Sequence, residues 1–213
     1  MRIISGSARG RRLHSPKNRM IRPTADRVKE SLFNILVVIL GGFDRCRVLD
    51  IFAGTGNLGL EALSRGASQA VFIDNHKESV ALVVKNLRML AFSDRGRLLE
   101  REALPALRHL GEREAPFQLV FIDPPYRQGL AERVLAYLAC STLIDENSLV
   151  VAEISSAESL PTAFDALREF DRRFYGDTAI AFFRRVHKET PDQKSQIPDD
   201  IEKTVRKPLV VCD

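Results

Sequence analysis

Three glycines and two carboxylates stand where a cofactor would need them. Residues 47–63, RVLDIFAGTGNLGLEAL, run from an apolar stretch through Asp50 and Phe52 into a turn holding Gly54, Gly56, Asn57 and Gly59, then into a helical pattern. Glycines at such a turn let backbone N–H groups approach a ligand at a helix N-terminus. Twenty residues after Gly54, Asp74 and then Asn75 close a second apolar run. A carboxylate there can accept from ribose hydroxyls. A separate apolar strand, within QLVFIDPPY at 118–126, delivers Asp123, Pro124, Pro125 and Tyr126 to its carboxyl end, where ligands sit in open parallel sheets.

The Asp-Pro-Pro-Tyr segment suits an acceptor with an exocyclic amine. On guanine or adenine the amine lone pair is delocalised into the ring, so the nitrogen attacks poorly until it becomes pyramidal. Acceptors aimed at its two hydrogens favour that change. The Asp123 carboxylate and the Pro124 main-chain carbonyl are of the right type, since proline fixes φ and keeps its C=O. Pro125 stiffens the turn, and Tyr126 offers a ring face to a base extracted from its stack. The two segments together predict methyl transfer to a nucleobase amine, driven by positioning and preorganised electrostatics.

The pattern Gly54-x-Gly56-x-x-Gly59 followed by Asp74 also satisfies a dinucleotide fingerprint. Two features weigh against a nicotinamide cofactor. Asp50 places a carboxylate where a pyrophosphate would be repelled and an amino-acid ammonium held, and the dinucleotide reading leaves Asp123 to Tyr126 without a task. Glu102 and Ala103, just after a third short strand, can meet the adenine or its ribose edge. The alternative for Glu102 is a first-turn helix carboxylate favoured by the dipole.

The elements that must hold these residues alternate between strand and helix, which argues a parallel sheet covered by helices. Strands are expected at 47–51, 70–73, 97–99, 118–122 and 148–153. Helices are expected from Pro23 to the glycines at 41–42, at 57–65, across Val80 to Leu90, at 103–110, across Leu130 to Leu138, and at 160–167. Gly176-Asp177 separates two strand-like runs, 172–175 and 178–184, as a hairpin. Residues 1–22 read as a small extension containing a hairpin, 23–187 as the main domain, and 188–213 as a flexible tail with three prolines and mixed charge.

Charge is unevenly placed. Residues 1–30 carry nine basic side chains against Asp26 and Glu30, which leaves the other 183 residues at −3 of the chain's net +4. A basic arm on a near-neutral body is the pattern of a protein that meets phosphates, the alternative being a solvated tail. Cys46, Cys140 and Cys212 form no C-x-x-C pattern, so neither a disulfide framework nor a metal site is expected. No apolar stretch is long enough to span a bilayer, and the start MRIISGSARGRR lacks a signal peptide's apolar core, so a cytoplasmic protein is expected.

With these residues in hand, the chain resembles the bacterial 16S ribosomal RNA guanine-N2 methyltransferase family, named for guanine 966, among the Rossmann-like S-adenosylmethionine-dependent enzymes. The resemblance spans about residues 1–186 and rests on MRIISGSARGRRL, RPTADRVKESLFNIL, LDIFAGTGNLGLEALSRGA, KNL at 85–87 and FIDPPY. DPPY-type motifs also occur in DNA adenine methyltransferases; the RPT-x-DRV-x-E-x-LFN stretch is more specific. The resemblance implies an α/β fold with a mostly parallel seven-stranded sheet, helices on both faces and an antiparallel C-terminal strand. It implies S-adenosylmethionine held by the glycine turn, Asp50 and Asp74, and a guanine held by Asp123 to Tyr126. The implied partner is 16S rRNA in a small subunit or assembly intermediate, bound by a monomer. Arg9, Arg11, Arg12, Arg22, Thr24, Arg27 and Asn34 are the RNA-contact candidates; Arg27, Ser31 and Asn34 share one helical face. Helix capping and solvation are the other reading of these residues. Two positions depart from the family pattern: His76 where an acidic residue is common, and Glu102 where Asp is usual.

Overall fold

Strand residues in this chain alternate between two helical layers, and that alternation builds the molecule. The computed structural model describes residues 1–16, 23–125 and 128–186, with residues 23–25 described in backbone only. Arg22, Tyr126, Cys212, the Thr24 side chain and the tail expected at 188–213 lie outside the described residues.

Five parallel strands form the centre: β1 (Arg47–Ile51), β2 (Gln69–Asp74), β3 (Gly96–Glu100), β4 (Leu119–Ile122) and β5 (Leu149–Ser155). Three antiparallel strands extend one edge: β6 (Ala163–Phe164), β7 (Leu167–Tyr175) and β8 (Thr178–Arg185). The order across the sheet is β3-β2-β1-β4-β5-β8-β7-β6. Helices α1 (Pro23–Leu40), α2 (Asn57–Ser64) and α3 (Lys77–Met89) cover one face; α4 (Ala103–Gly111) and α5 (Leu130–Ala139) cover the other.

Period-two patterning explains both cores. Val48, Phe72, Phe121, Val151 and Phe182 pack against α1, α2 and α3, whereas Leu49, Ile51, Val71, Ile122 and Phe183 pack against α4 and α5. Each fully buried Phe or Leu stabilises the fold by about 1.5–3 kcal/mol. The first core also contains Ile3, Ala8 and Leu13. The N-terminal segment is hairpin-like, with an antiparallel bridge between Arg2 and Arg12, and it shares its apolar interior with the sheet.

The structure corrects three expectations. No helix occupies 160–167; β6, a turn and the start of β7 lie there. Leu160, Phe164 and Leu167 are spaced like one helical face and all three are buried, but in a hairpin whose Asp165 adopts φ 45°. As a result β7 starts at Leu167, five residues earlier than expected. The sheet has eight strands instead of seven, the short β6 being the addition, while the expected antiparallel closing strand is β8, paired with β5 and, across the Gly176-Asp177 turn, with β7.

Candidate active site

Strand order reverses between β1 and β4, the crevice where open α/β sheets bind ligands. Ile51 pairs with Ile122 in register, so the glycine turn leaving β1 and the Asp123-Pro124 segment leaving β4 emerge side by side. The Asp123 amide donates to the Ile51 carbonyl at 3.3 Å, which ties the two segments together. Asp123 is half-buried, Pro124 buried and Pro125 exposed.

The turn's shape follows from its residues. Gly56 has φ 79° at the cap of α2, a left-handed conformation that a β-carbon disfavours. Gly59 is required by closeness instead: a Cβ there would meet Phe72 Cε1 at 2.4 Å and Asp50 Oδ2 at 3.0 Å. At Gly54 a Cβ would meet nothing within 4 Å, so that side of the turn is open. Phe52, half-buried with φ 64°, bends the chain as it leaves the strand.

Asp50 and Asp74 hold this turn from two sides. Asp74 Oδ2 accepts from the Gly54 N–H and Oδ1 from the His76 N–H, each at 2.8 Å. It stays half-buried at the strand end, and Asn75 beside it is exposed. Asp50 is 1% exposed, and its Oδ2 accepts from the Gly59 N–H at 2.8 Å. Burial pushes its pKa up to about 7, with the Gly59 bond opposing and the Asp74 charge adding. In the structure this carboxylate shapes the turn from beneath and presents no exposed face to an ammonium group. On the next strands, Arg101 N–H donates to the Asp74 carbonyl, which brings exposed Glu102 and half-buried Ala103, at the start of α4, to the same end of the sheet.

Sequence reasoning missed the groups that attach the N-terminal arm to this site. Glu61, 0% exposed, accepts from the Ile4 and Ser5 N–H groups at 2.8 and 3.0 Å, and pairs with Lys29 at 3.1 Å and Arg65 at 2.9 Å. Ser64 donates to the Ser5 carbonyl at 2.6 Å and accepts from the Ala8 N–H at 3.0 Å. Asn86, also 0% exposed, accepts from the His14 N–H at 2.8 Å and donates to the His14 and Thr55 carbonyls. The available signal was a polar residue inside an otherwise apolar helical stripe, Glu61 within LGLEALS and Asn86 within KNL. Among the described residues no buried side-chain nitrogen or oxygen lacks a partner.

The basic arm is therefore less free than its charge implies. Lys29 is 3% exposed, and burial lowers its pKa against the opposing pull of Glu61, so it cannot reach a phosphate. Arg11 donates to the Met89 carbonyl at 2.9 Å, and Arg2 pairs with Asp26 at 3.3 Å. Arg9, Arg12, Arg27 and Asn34 are exposed. Ser31, on the face of α1 with Arg27 and Asn34, is hydrogen-bonded to the Tyr175 hydroxyl at 2.8 Å. No helix among the described residues is long and apolar enough to cross a membrane.

A reversing parallel sheet with antiparallel closing strands, a glycine turn at the switch point and an Asp-Pro-Pro segment beside it define a Rossmann-like α/β methyltransferase. Comparison with known proteins agrees, and gives the family. The model of the family described as Conserved hypothetical protein 95 matches residues 1–184, and the chain belongs to that family. Ribosomal RNA small subunit methyltransferase D of Escherichia coli (strain K12) is 38% identical over 162 residues, covering 76% of this chain and 78% of that protein. The protein of the same name from Haemophilus influenzae is 36% identical over 163 residues, 76% of this chain and 82% of its own length. The solved structure of yhhF from Escherichia coli superposes with a TM-score of 0.74 at 34% identity, covering 87% of this chain and 97% of that one.

Proposed function

We propose that the protein transfers a methyl group from S-adenosylmethionine to the exocyclic N2 of a guanine in 16S rRNA of the small subunit. The observation that carries this reading is the register of β1 against β4, which sets the glycine turn beside Asp123 and Pro124. The residues present suit the cofactor: the turn is open at Gly54, Asp74 at the end of β2 would accept from a ribose, and Glu102 and Ala103 at the start of α4 would border an adenine. The bound cofactor supplies an electrophilic sulfonium methyl group.

The chain's own part is positioning. Asp123 and the Pro124 carbonyl would accept from the two amine hydrogens and favour a pyramidal nitrogen, leaving its lone pair free to take the methyl group that the cofactor would supply. Tyr126 stacks on the extracted base. The methylated nitrogen is strongly acidic and gives up its proton after transfer, so no base needs to act first. Arg9, Arg12, Arg22 and Arg27 meet RNA phosphates, with Arg11, Thr24 and Asn34 at the margin of that surface. The protein acts as a cytoplasmic monomer on a small subunit or an assembly intermediate. Relatives named as rRNA small subunit methyltransferases support an RNA substrate over DNA.

The test is transfer of labelled methyl groups to small subunits from cells lacking the activity, with duplex DNA in parallel and the product nucleoside identified. N2-methylguanosine in the rRNA is expected. N6-methyladenine in the DNA would overturn the substrate and keep the site. In the same assay Asp123→Ala should lower transfer at least about a hundredfold, as loss of a preorganised polar contact does, while cofactor affinity stays nearly constant. Unchanged turnover would remove Asp123 from the transfer site.

A further inference from the structure

Both ends of the N-terminal arm are bolted to the cofactor turn by single buried side chains. At the start of the arm, Lys29 Nζ donates to the Arg2 carbonyl at 2.6 Å and to Asn57 Oδ1 at 2.8 Å, and rests against Glu61 Oε2 at 3.1 Å. An ammonium has three hydrogens, and each has an acceptor here. One joins the arm, one joins the first residue of α2, and one joins the carboxylate that also receives Ile4 and Ser5. At the far end, Asn86 grips His14 through both its N–H and its carbonyl, and its remaining bond, at 2.9 Å, goes to the Thr55 carbonyl inside the turn. A third contact, from Thr55 Oγ1 to Met1 Sδ at 3.5 Å, lies between them.

Water does not replace these bonds cheaply, because Lys29 and Asn86 are 3% and 0% exposed. If the arm lifts at either end, buried donors lose their acceptors, and the groups left unpaired belong to the same side chains that hold Thr55 and Asn57. The arm and the turn therefore change state together. Any ligand that stabilises the docked arm stabilises the shaped turn, and linkage makes the effect reciprocal.

We propose that Lys29 and Asn86 are positioning residues that couple RNA engagement by the N-terminal arm to cofactor affinity at the glycine turn. The coupling rests on the proposed function, which assigns RNA to the arm and S-adenosylmethionine to the turn. It adds an order to that function: the protein holds its cofactor more tightly once its RNA is in place.

The experiment measures the Kd of labelled S-adenosylhomocysteine for the full chain by equilibrium dialysis, alone and with saturating small ribosomal subunits. Using the product form avoids turnover. The subunits should tighten binding at least about fivefold, the lower end of ordinary allosteric coupling. An unchanged Kd in the wild type overturns the coupling.

The same ratio is then measured for Lys29→Met and Asn86→Asp, chosen to preserve volume and checked for folding by circular dichroism. It should fall toward one in both. A residue that merely supports the fold shifts both Kd values by the same factor and leaves their ratio intact, so a retained ratio in folded variants also overturns the proposal. If neither variant folds, amide exchange of the wild type decides. S-adenosylhomocysteine should slow exchange at Ile3, Leu13 and His14 more than at amides of α5, and equal or absent slowing at the arm refutes the coupling. No binding of S-adenosylhomocysteine under any condition overturns the cofactor reading, and the coupling with it.

Discussion

The two faces of the sheet are built on different principles. The face under α4 and α5 is apolar apart from Ser141 and Ser148 at its edge: Leu107, Leu110, Val134, Leu135 and Leu138 pack on Leu49, Val120, Val150 and Phe183. The face under α1, α2 and α3 is equally well filled, yet it also buries Lys29, Asp50, Thr55, Glu61, Ser64 and Asn86. Buried polar groups contribute little net stability over apolar ones of the same shape, and removing one partner is expensive. The second face thus gives up stability that an apolar core would supply, and obtains a fixed placement for the arm and the turn. The dry face supports the sheet; the wet face arranges the site.

The largest break in this comparison should come from Glu61→Ala. It leaves Lys29 buried without its carboxylate and strips the Ile4 and Ser5 amides of their acceptor, a loss of about 3–5 kcal/mol by analogy with other severed buried pairs. Urea denaturation reads it directly, and a loss under about 1 kcal/mol would show that the pair is solvated in solution.

Asp50→Asn tests the wet face in the opposite direction. Because the folded pKa is raised to about 7, the folded state binds more protons than the unfolded state between roughly pH 4 and 7, so the charge penalises folding above that window and not below it. The amide removes the penalty and can still accept from Gly59. The variant should gain up to about 4 kcal/mol over the wild type at pH 8, at 1.36 kcal/mol per pH unit, and the gain should shrink toward pH 4. A difference that stays constant across the range would mean that Asp50 titrates normally.

On the dry face, Leu135→Ala should destabilise by about 2–5 kcal/mol with no pH dependence beyond the wild type's own, and leave cofactor affinity unchanged in the folded protein. Altered affinity there would blur the division between the faces. A smaller stability effect is expected for Gly59→Ala, where the new methyl meets Phe72 and Asp50; about 1–3 kcal/mol is typical of overpacking. Its cofactor Kd should weaken more than that of Leu135→Ala, and equal values would separate the turn's packing from its ligand.

Charge reversal at exposed Arg12 and Arg27 changes neither face. It should flatten the salt dependence of RNA binding, each lost phosphate contact lowering the slope by roughly 0.7–0.9. An unaltered slope would confine the arm to a structural role.

Much of this was legible in the sequence. β1, β2, β4 and the helices between them follow from apolar runs and helical spacing, and Gly54, Gly56, Gly59 and Asp74 meet at one turn as their spacing required. The helix expected at 160–167 failed because Leu160, Phe164 and Leu167 bury equally well in a hairpin; residues three and four apart do not distinguish the two without the neighbouring strand. Lys29 is one of the nine basic residues that make residues 1–30 positive, and composition cannot tell such a buried ammonium from a solvated one.

By itself the sequence determined the strand and helix periods, the glycine turn and the Asp-Pro-Pro segment, because each is a local pattern in which the residue type dictates the backbone. Only the tertiary structure decided that Asp50 lies beneath the turn and that the arm is pinned by Glu61, Lys29 and Asn86. Those bonds join residues as far as 72 positions apart. Contacts between distant positions leave no periodic trace in the chain, and they exist only once the two helical layers have closed on the sheet.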